Sequence, residues 1–408
     1  MAPVAAVEET LMARLLALTS RLPYPPGEGH QLRSWHLLRA LASRHEVTLL
    51  SFRRPDDPQP SDIPQDIFAA VETFPIPSAQ SRIALVRAVA QGVLTPTPFV
   101  AARYTSPAMR ARVATLARNA DLVHIDMLPL MANAHCVPAT VPLVLNAHNV
   151  ESRLLAQRVG TATPPLRAFL RTQVPRLEAF ERAACLRASA VLACSQVDAD
   201  ALRTLAGGAE VHVVPNGVDL EHNRPAADPG GARMAFVGQM GWFPNRDGVE
   251  WFLHDILPRI LAARPDARFV VIGRHGGLKV PDGVADRVQL AGFVPDLRPL
   301  LHDSAVYVVP LRVGSGTRLK VLEAMALGKA IVTTALGSEG IALRDGESAL
   351  FADDADGFAR AVIALLDAPA TRLRLAAAAR SCAESHYGWD AIGARLQGLY
   401  AAVLASTR

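Results

Sequence analysis

The residues best spaced for chemistry are those of Gly314-Ser-Gly-Thr-Arg-Leu-Lys-Val-Leu-Glu323. A glycine-rich turn runs into a helical stretch that carries one acid and ends at Gly328. Glycines let a ligand approach the backbone, and the free N–H groups at a helix start suit a phosphate or diphosphate. Helical side chains lean toward the N-terminus, so the Glu323 carboxylate can reach ligand hydroxyls beside those amides. Carboxylate, amides and the cations Arg318 and Lys320 together suit a nucleotide that carries a sugar. Gly-x-Gly-x-x-Leu lacks the third glycine of the dinucleotide fingerprint, which argues against a nicotinamide site. Gly328-Lys329 is not a phosphate loop, because Glu323 stands where its glycine is needed.

Such a turn needs a rigid edge to hold it, and the chain has the pattern of parallel sheets covered by helices, an α/β class. In the first half the apolar runs at residues 15–18, 47–51, 122–125, 141–145, 190–193 and 211–214 read as strands. Helical segments at 32–43, 107–117 and 166–187 fall between them. The second half repeats the alternation at 234–238, 268–273, 288–292, 305–310 and 330–334, with Gly238, Gly273 and Gly292 at strand ends. Ligands of open parallel sheets bind beyond the carboxyl ends of the strands, where glycines keep the edge open. Residues 223–231 are rich in Pro and Gly and read as the crossing between two domains. Two such domains facing across a cleft suit a two-substrate enzyme.

The 408 residues carry a formal charge of +4, too small to argue for nucleic acid, and half of them are apolar. Cys136, Cys185, Cys194 and Cys382 lie far apart without a CxxC, so neither zinc nor a disulfide framework is indicated, and a reducing cytoplasm fits. The apolar stretch 11–18 is too short for a membrane span. Between Arg82 and Arg118 the charged residues Arg82, Arg87, Arg103, Arg110, Arg112 and Arg118 are all basic. A second basic stretch carries Arg153, Arg158, Arg167, Arg171 and Arg176. A first domain sitting on anionic lipid and a plain arginine-rich coding bias both account for them. Asp198-Ala-Asp200 and Asp354-Ala-Asp356 read as helix starts or solvated charge rather than metal ligands.

In order along the chain stand Tyr24-Pro-Pro-Gly-Glu-Gly, Asn146-Ala-His-Asn-Val-Glu151, Val214-Pro-Asn-Gly-Val-Asp219, Phe236-Val-Gly-Gln-Met, the Gly314 to Gly328 signature and Tyr387-Gly-Trp-Asp390. With these the chain resembles the retaining GT-B glycosyltransferases of family 4 (glycosyl transferases group 1), and sugar transferases of bacterial polysaccharide biosynthesis in particular. The resemblance implies two Rossmann-like domains facing across a cleft: an acceptor-binding domain at 1–216, a linker region at 217–231, and a nucleotide-sugar-binding domain at 232–385. A final helix at 386–408 would pack back on the first domain.

The resemblance implies a metal-independent transfer with retention of configuration and no cofactor beyond the nucleotide-diphosphate sugar, which is a co-substrate. The acceptor would be a saccharide or a lipid-linked sugar, and the setting cytoplasmic, at the inner face of the cell membrane if lipid is bound. Glu323 would bind the ribose, and Gly316, Thr317, Arg318 and Leu319 would cradle the diphosphate. Gly238 and Gln239, Arg274, and Phe293 with Val294 would border the donor. His148, beyond the end of a buried strand, would stand beside the reacting sugar and relay a proton. Gly27 and Gly29 match a glycine-rich loop, to which Arg33 would present a charge. In two places the chain departs from the pattern, with Ser315 for a sugar-binding glutamate and Gln239 for a phosphate-binding arginine. Arg318 and Lys320 would then take over the phosphate contacts. A sugar-nucleotide epimerase on the same fold, or a non-catalytic nucleotide-sugar-binding partner subunit, are the rival readings.

Overall fold

Most of the apolar runs form strands buried on both faces, as a sheet covered by helices on both sides requires. The computed structural model describes residues 12–26, 29–55, 57–314 and 318–406, except the side chain of Thr161. Two compact units divide the chain. Unit 1 holds Met1–Val214 and Gly393–Arg408, and unit 2 holds Pro215–Ile392. Each has its own apolar core.

Unit 1 is built on β1 (Arg14–Thr19), β2 (Glu46–Arg53), β3 (Ala70–Pro75), β4 (Leu122–Asp126), β5 (Leu143–Ala147), β6 (Ala190–Ala193) and β7 (Val211–Val213). They pair in the order β3-β2-β1-β4-β5-β6-β7. Unit 2 uses β8 (Arg233–Val237), β9 (Arg268–Ile272), β10 (Val288–Gly292), β11 (Val306–Val309), β12 (Ala330–Thr333) and β13 (Leu350–Phe351). Their order is β10-β9-β8-β11-β12-β13. All the pairings are parallel. Both sheets therefore have a switch point, β1 beside β4 and β8 beside β11, where a crevice opens at the carboxyl ends.

The sequence reading lacks β3 and β13. β3 is only half-buried along its length and ends on Pro75, the pattern of a sheet edge rather than of an apolar run. β13 has two residues, too few for any periodicity. Both Asp-Ala-Asp strings open helices. Ser195 caps the Gln196–Leu205 helix by accepting from the Asp198 amide, and Asp354 caps the Ala355–Asp367 helix by accepting from the Gly357 amide.

The Pro/Gly-rich segment 223–231 is not where the units divide. The boundary lies at Val214, and residues 215–231 belong to unit 2. Arginines fasten the segment there: Arg380 donates to the Asn223 carbonyl, Arg298 to that of His222, and the buried Arg372 pairs with Asp228. The Pro-Asn-Gly turn is closed by the Tyr387-Gly-Trp motif. The Val218 amide donates to the Tyr387 carbonyl at 2.7 Å, and the Trp389 indole lies where a Gly217 Cβ would be, 2.5 Å away.

Gly248 lies in the Phe243–Trp251 helix, where alanine would ordinarily be the better residue by about 1 kcal/mol. An added Cβ would stand 2.5 Å from the Pro310 carbonyl oxygen, at the end of β11. Gly248→Ala is therefore expected to destabilise the protein by about 1–3 kcal/mol, read as a lower midpoint in denaturant. A variant as stable as the parent would contradict this close helix–strand contact.

Candidate functional site

In unit 2 the carboxyl ends of β8, β9 and β11 come together around bare backbone. Gly273 has a φ of +131°, and a Cβ on it would lie 2.2 Å from the Gly238 carbonyl oxygen. Only glycine fits there. The loops beyond are clipped to one another: Arg246 donates to the carbonyls of Met240 and Gly276, and the Met240 amide donates to the Arg274 carbonyl at 2.9 Å. Arg274 stacks over the exposed Phe293 ring, 5.7 Å from its centroid, with Val294 half-buried beside it. Gln239 exposes its side chain and accepts from Asn245 through its carbonyl.

The loop after β11 is tied to the Phe243–Trp251 helix by Arg312, which pairs with Asp247 at 2.8 Å and lies 5.1 Å from the Trp251 ring centroid. Gly314 turns the chain at a φ of +120°, with the Arg318 guanidinium against it. The following helix is Leu319–Ala326, so Arg318 precedes it as the N-cap residue. Glu323 stands one turn in, with its side chain 20% exposed. Lys320 Nζ donates to both Glu323 oxygens, at 2.8 and 3.0 Å. Burial, and Glu323 nearby, push the Tyr307 hydroxyl up from its usual range. Gly27, Ser315, Gly316 and Thr317 lie outside the described residues.

Unit 1 arranges side chains instead. Thr19, Asp126 and Asn146 pair across β1, β4 and β5 in one row at the switch point. Asp126, 1% exposed, is the hub. Its Oδ1 accepts from Asn146 Nδ2 at 2.6 Å and lies 2.9 Å from His148 Nε2, while Oδ2 accepts from the Ser34 hydroxyl at 2.5 Å. Burial opposes the charge, but His148 and the hydrogen bonds around it hold the Asp126 carboxyl well below the usual carboxylate range.

Arg33 is buried and donates to Asn146 Oδ1 and to the Val214 carbonyl, so its charge serves this network. Gly29 opens the Gly29–Ala42 helix that carries Arg33 and Ser34. Beyond His148 the Glu151–Thr161 helix begins, and Glu181 accepts its first amides, from Glu151 at 2.8 Å and Ser152 at 3.1 Å. Burial pushes Glu181 up to about 7 and raises Glu151 as well.

Two clusters thus carry the sequence-predicted residues: Gly238, Gln239, Arg274, Phe293, Val294, Arg318, Leu319, Lys320 and Glu323 in unit 2, and Gly29, Arg33 and His148 in unit 1. Asp126 was missed in the sequence, although His124 and Asp126 stand two apart in an apolar strand and so share a face. Among the described residues no group of three or more His, Cys, Asp or Glu is placed to hold a metal ion. A cavity of about 560 Å³ bounded by Leu343, Arg344, Ser348, Cys382 and His386 contains none of these groups.

Residues 231–368 match the family described as glycosyl transferases group 1, and residues 28–222 match glycosyltransferase family 4. A phosphatidyl-myo-inositol mannosyltransferase of Mycolicibacterium smegmatis is 28% identical over 209 residues, 48% of this chain and 53% of that protein. The chain spans about half the length of the curated relatives it matches. Among solved structures, sucrose-phosphate synthase from Thermosynechococcus elongatus superposes with a TM-score of 0.73 at 19% identity, covering 96% of this chain and 100% of that one. Anabaena HepE in complex with UDP-glucose gives 0.63 at 17% identity, over 96% and 100% of the two chains. The fold is that of the GT-B glycosyltransferases.

A carboxyl whose folded pKa is depressed stabilises above its unfolded value, about 3.9, and that contribution is lost as pH falls through the folded pKa. Asp126→Asn should therefore cost about 3 kcal/mol at pH 7. The deficit should shrink when unfolding is measured near pH 3. An equal deficit at both pH values would show that the Asp126 charge is not what stabilises.

Proposed function

We propose, for a chain that belongs to the group 1 and family 4 glycosyltransferases and has their GT-B fold, that it transfers a sugar from a nucleoside-diphosphate sugar to a saccharide or lipid-linked acceptor. The transfer retains the anomeric configuration and needs no metal ion. The acceptor oxygen bonds to the anomeric carbon, the bond to the diphosphate breaks, and the acceptor proton is relayed to the departing phosphate oxygen. The observation that carries this reading is the edge of unit 2, where Gly238 and Gly273 pack backbone to backbone and the loop after β11 leads into a helix start and Glu323. Backbone amides at that helix start suit a diphosphate, and a carboxylate one turn into the helix suits the paired hydroxyls of a ribose.

Glu323 holds the ribose in this reading. The amides from Gly316 to Leu319 and the Arg318 guanidinium take the diphosphate, Arg274 and Phe293 border the nucleotide, and His148 is the proton-handling group of unit 1. Lys320 is a weaker phosphate ligand than its position suggests, since the Glu323 carboxylate holds it. Incubation with a panel of nucleotide sugars separates transfer from isomerisation and from binding alone. Glu323→Ala should weaken donor binding by about 1.5–3 kcal/mol, roughly ten- to a hundredfold in Kd by calorimetry. Unchanged affinity would remove Glu323 from the donor site.

A lipid-linked acceptor also fits the Arg82–Leu94 helix, and we propose that this helix rests on anionic membrane at the inner face of the cell membrane. Its small face is packed inward, Gly92 against Phe99, and leaves Ile83 67% and Leu94 82% exposed with Val86, beside the exposed Arg82 and Arg87. Several other arginines of the basic stretches are engaged elsewhere: Arg110 donates to the Ala132 carbonyl, Arg112 to Glu72, and Arg176 to the Val93 carbonyl. No helix among the described residues is long and apolar enough to cross a membrane. The protein should float with vesicles containing acidic phospholipid, and Ile83→Ser with Val86→Ser should lower the bound fraction severalfold. Binding indifferent to lipid charge and to these substitutions would refute the contact.

A further inference from the structure

We propose that Asp126 is a positioning residue that fixes the tautomer of His148, and that Tyr400 of the last helix completes the arrangement through His124. Only the assignment of His148 to the reaction rests on the proposed function; the tautomer rests on geometry. Arg33 has donors alone, so Asn146 must turn its carbonyl oxygen to the guanidinium, 2.8–3.0 Å away. Its amide nitrogen then faces Asp126 at 2.6 Å and His148 Nε2 at 3.2 Å. His148 Nε2 thus sees a carboxylate oxygen at 2.9 Å and an amide nitrogen at 3.2 Å.

If Nε2 lacked a proton, its lone pair would face the lone pair of a buried carboxylate. With the proton on Nε2, a charge-assisted hydrogen bond forms instead. The neutral ring is therefore protonated at Nε2, which leaves Nδ1 as the nitrogen that accepts or returns a proton. Nδ1 has no hydrogen-bond partner among the described residues.

Behind Asp126 the same logic runs one step further. The Tyr400 hydroxyl, on the Trp389–Ser406 helix, lies 2.5 Å from His124 Nδ1, and both residues are fully buried. Burial and the neighbouring Asp126 charge hold the hydroxyl in its neutral form, so Tyr400 donates and Nδ1 accepts. The His124 proton then sits on Nε2. That atom is buried without a hydrogen-bond partner and points at Asp126 Oδ1 from 3.8 Å. Its N–H adds positive potential to the carboxylate that orients His148. The groups facing these residues are Arg33 and Ser34 from the Gly29–Ala42 helix, Asn146 from β5, and Glu151 at the start of the Glu151–Thr161 helix.

The test is long-range ¹H–¹⁵N correlation of the histidine-labelled protein at about pH 8.5, above the ordinary histidine range. The His148 signals are identified by their loss in His148→Gln. The expected result is an Nε2–H tautomer for both His148 and His124 in the unmodified protein. In Asp126→Asn an amide can donate to Nε2, and His148 should shift toward the Nδ1–H tautomer. Tyr400→Phe should leave His148 unchanged in tautomer while His124 becomes a mixture.

An Nδ1–H His148 in the unmodified protein, or no tautomer change in a folded Asp126→Asn, overturns the proposal. If Asp126→Asn does not fold, the unmodified spectrum decides the Asp126 half and Tyr400→Phe the outer half. Where turnover is measurable, Asp126→Asn should lower kcat by roughly a hundredfold, the usual worth of a positioned acid–base group, with the donor KM little changed. Nε2–H tautomers in a protein that transfers no sugar would sink the function and leave this inference standing.

Discussion

Every strand in both sheets runs parallel to its neighbours, and that constraint decides where chemistry can sit. Parallel pairing sends every connection back across a face of the sheet, so helices cover both faces and only the ends of the strands stay accessible. All carboxyl ends then lie along one edge. The crossovers part at β1/β4 in one unit and at β8/β11 in the other, and nothing but loops can fill those gaps. The described residues proposed for donor or proton chemistry lie at such an edge or on a loop or helix leaving it.

Holding loops still at an edge is a separate problem, and arginine solves most of it. Arg246 joins the loops after β8 and β9, Arg312 ties the loop after β11 to the neighbouring helix, and Arg298, Arg372 and Arg380 fasten the segment that enters unit 2. A guanidinium can satisfy several carbonyl oxygens at once, which a lysine cannot do with the same planar geometry. Many of these arginines have half-buried stems, so a count of basic residues overstates the charge open to an anionic partner. What remains for a membrane is local: one helix whose large aliphatic side chains point outward because its glycine and alanine face points inward.

Most of the strands and the glycine-marked edge of unit 2 were legible in the sequence because they rest on local signals. Apolar runs of strand length and glycines at strand ends announce themselves within a few residues. β3 and β13 escaped for the opposite reason, since an edge strand ending in proline and a two-residue strand carry no such signal. The segment 223–231 has the composition of a linker, yet its attachment depends on Arg298, Arg372 and Arg380, far along the chain. Asp126 was hidden in the same way. Its partners Ser34, Asn146 and His148 come from three other elements, and a buried charge cannot be told from a solvated one until those partners are in place.

The two units carry one strand order and use its edge by opposite means. At the unit 2 edge the side chains are removed: Gly238 and Gly273 approach so closely that a Cβ on Gly273 would be 2.2 Å from a carbonyl. Their amides donate to the Ile272 and Gly292 carbonyls, so in the proposed reading it is the helix start beyond β11 that offers amides to an anion. At the unit 1 edge side chains crowd in, and a single buried carboxylate organises an amide, a hydroxyl and an imidazole. A buried charge tolerates little displacement, since each lost donor leaves the carboxylate under-satisfied by about 1–3 kcal/mol. Position at this edge is therefore enforced by electrostatics, whereas at the other it follows from close packing of backbone on backbone. A proton-handling group needs the first kind of edge, because its nitrogen must be held in one tautomer and one direction. The other edge needs no such hub, because a side chain on Gly273 would meet the Gly238 carbonyl and its absence alone lets the two loops close on each other.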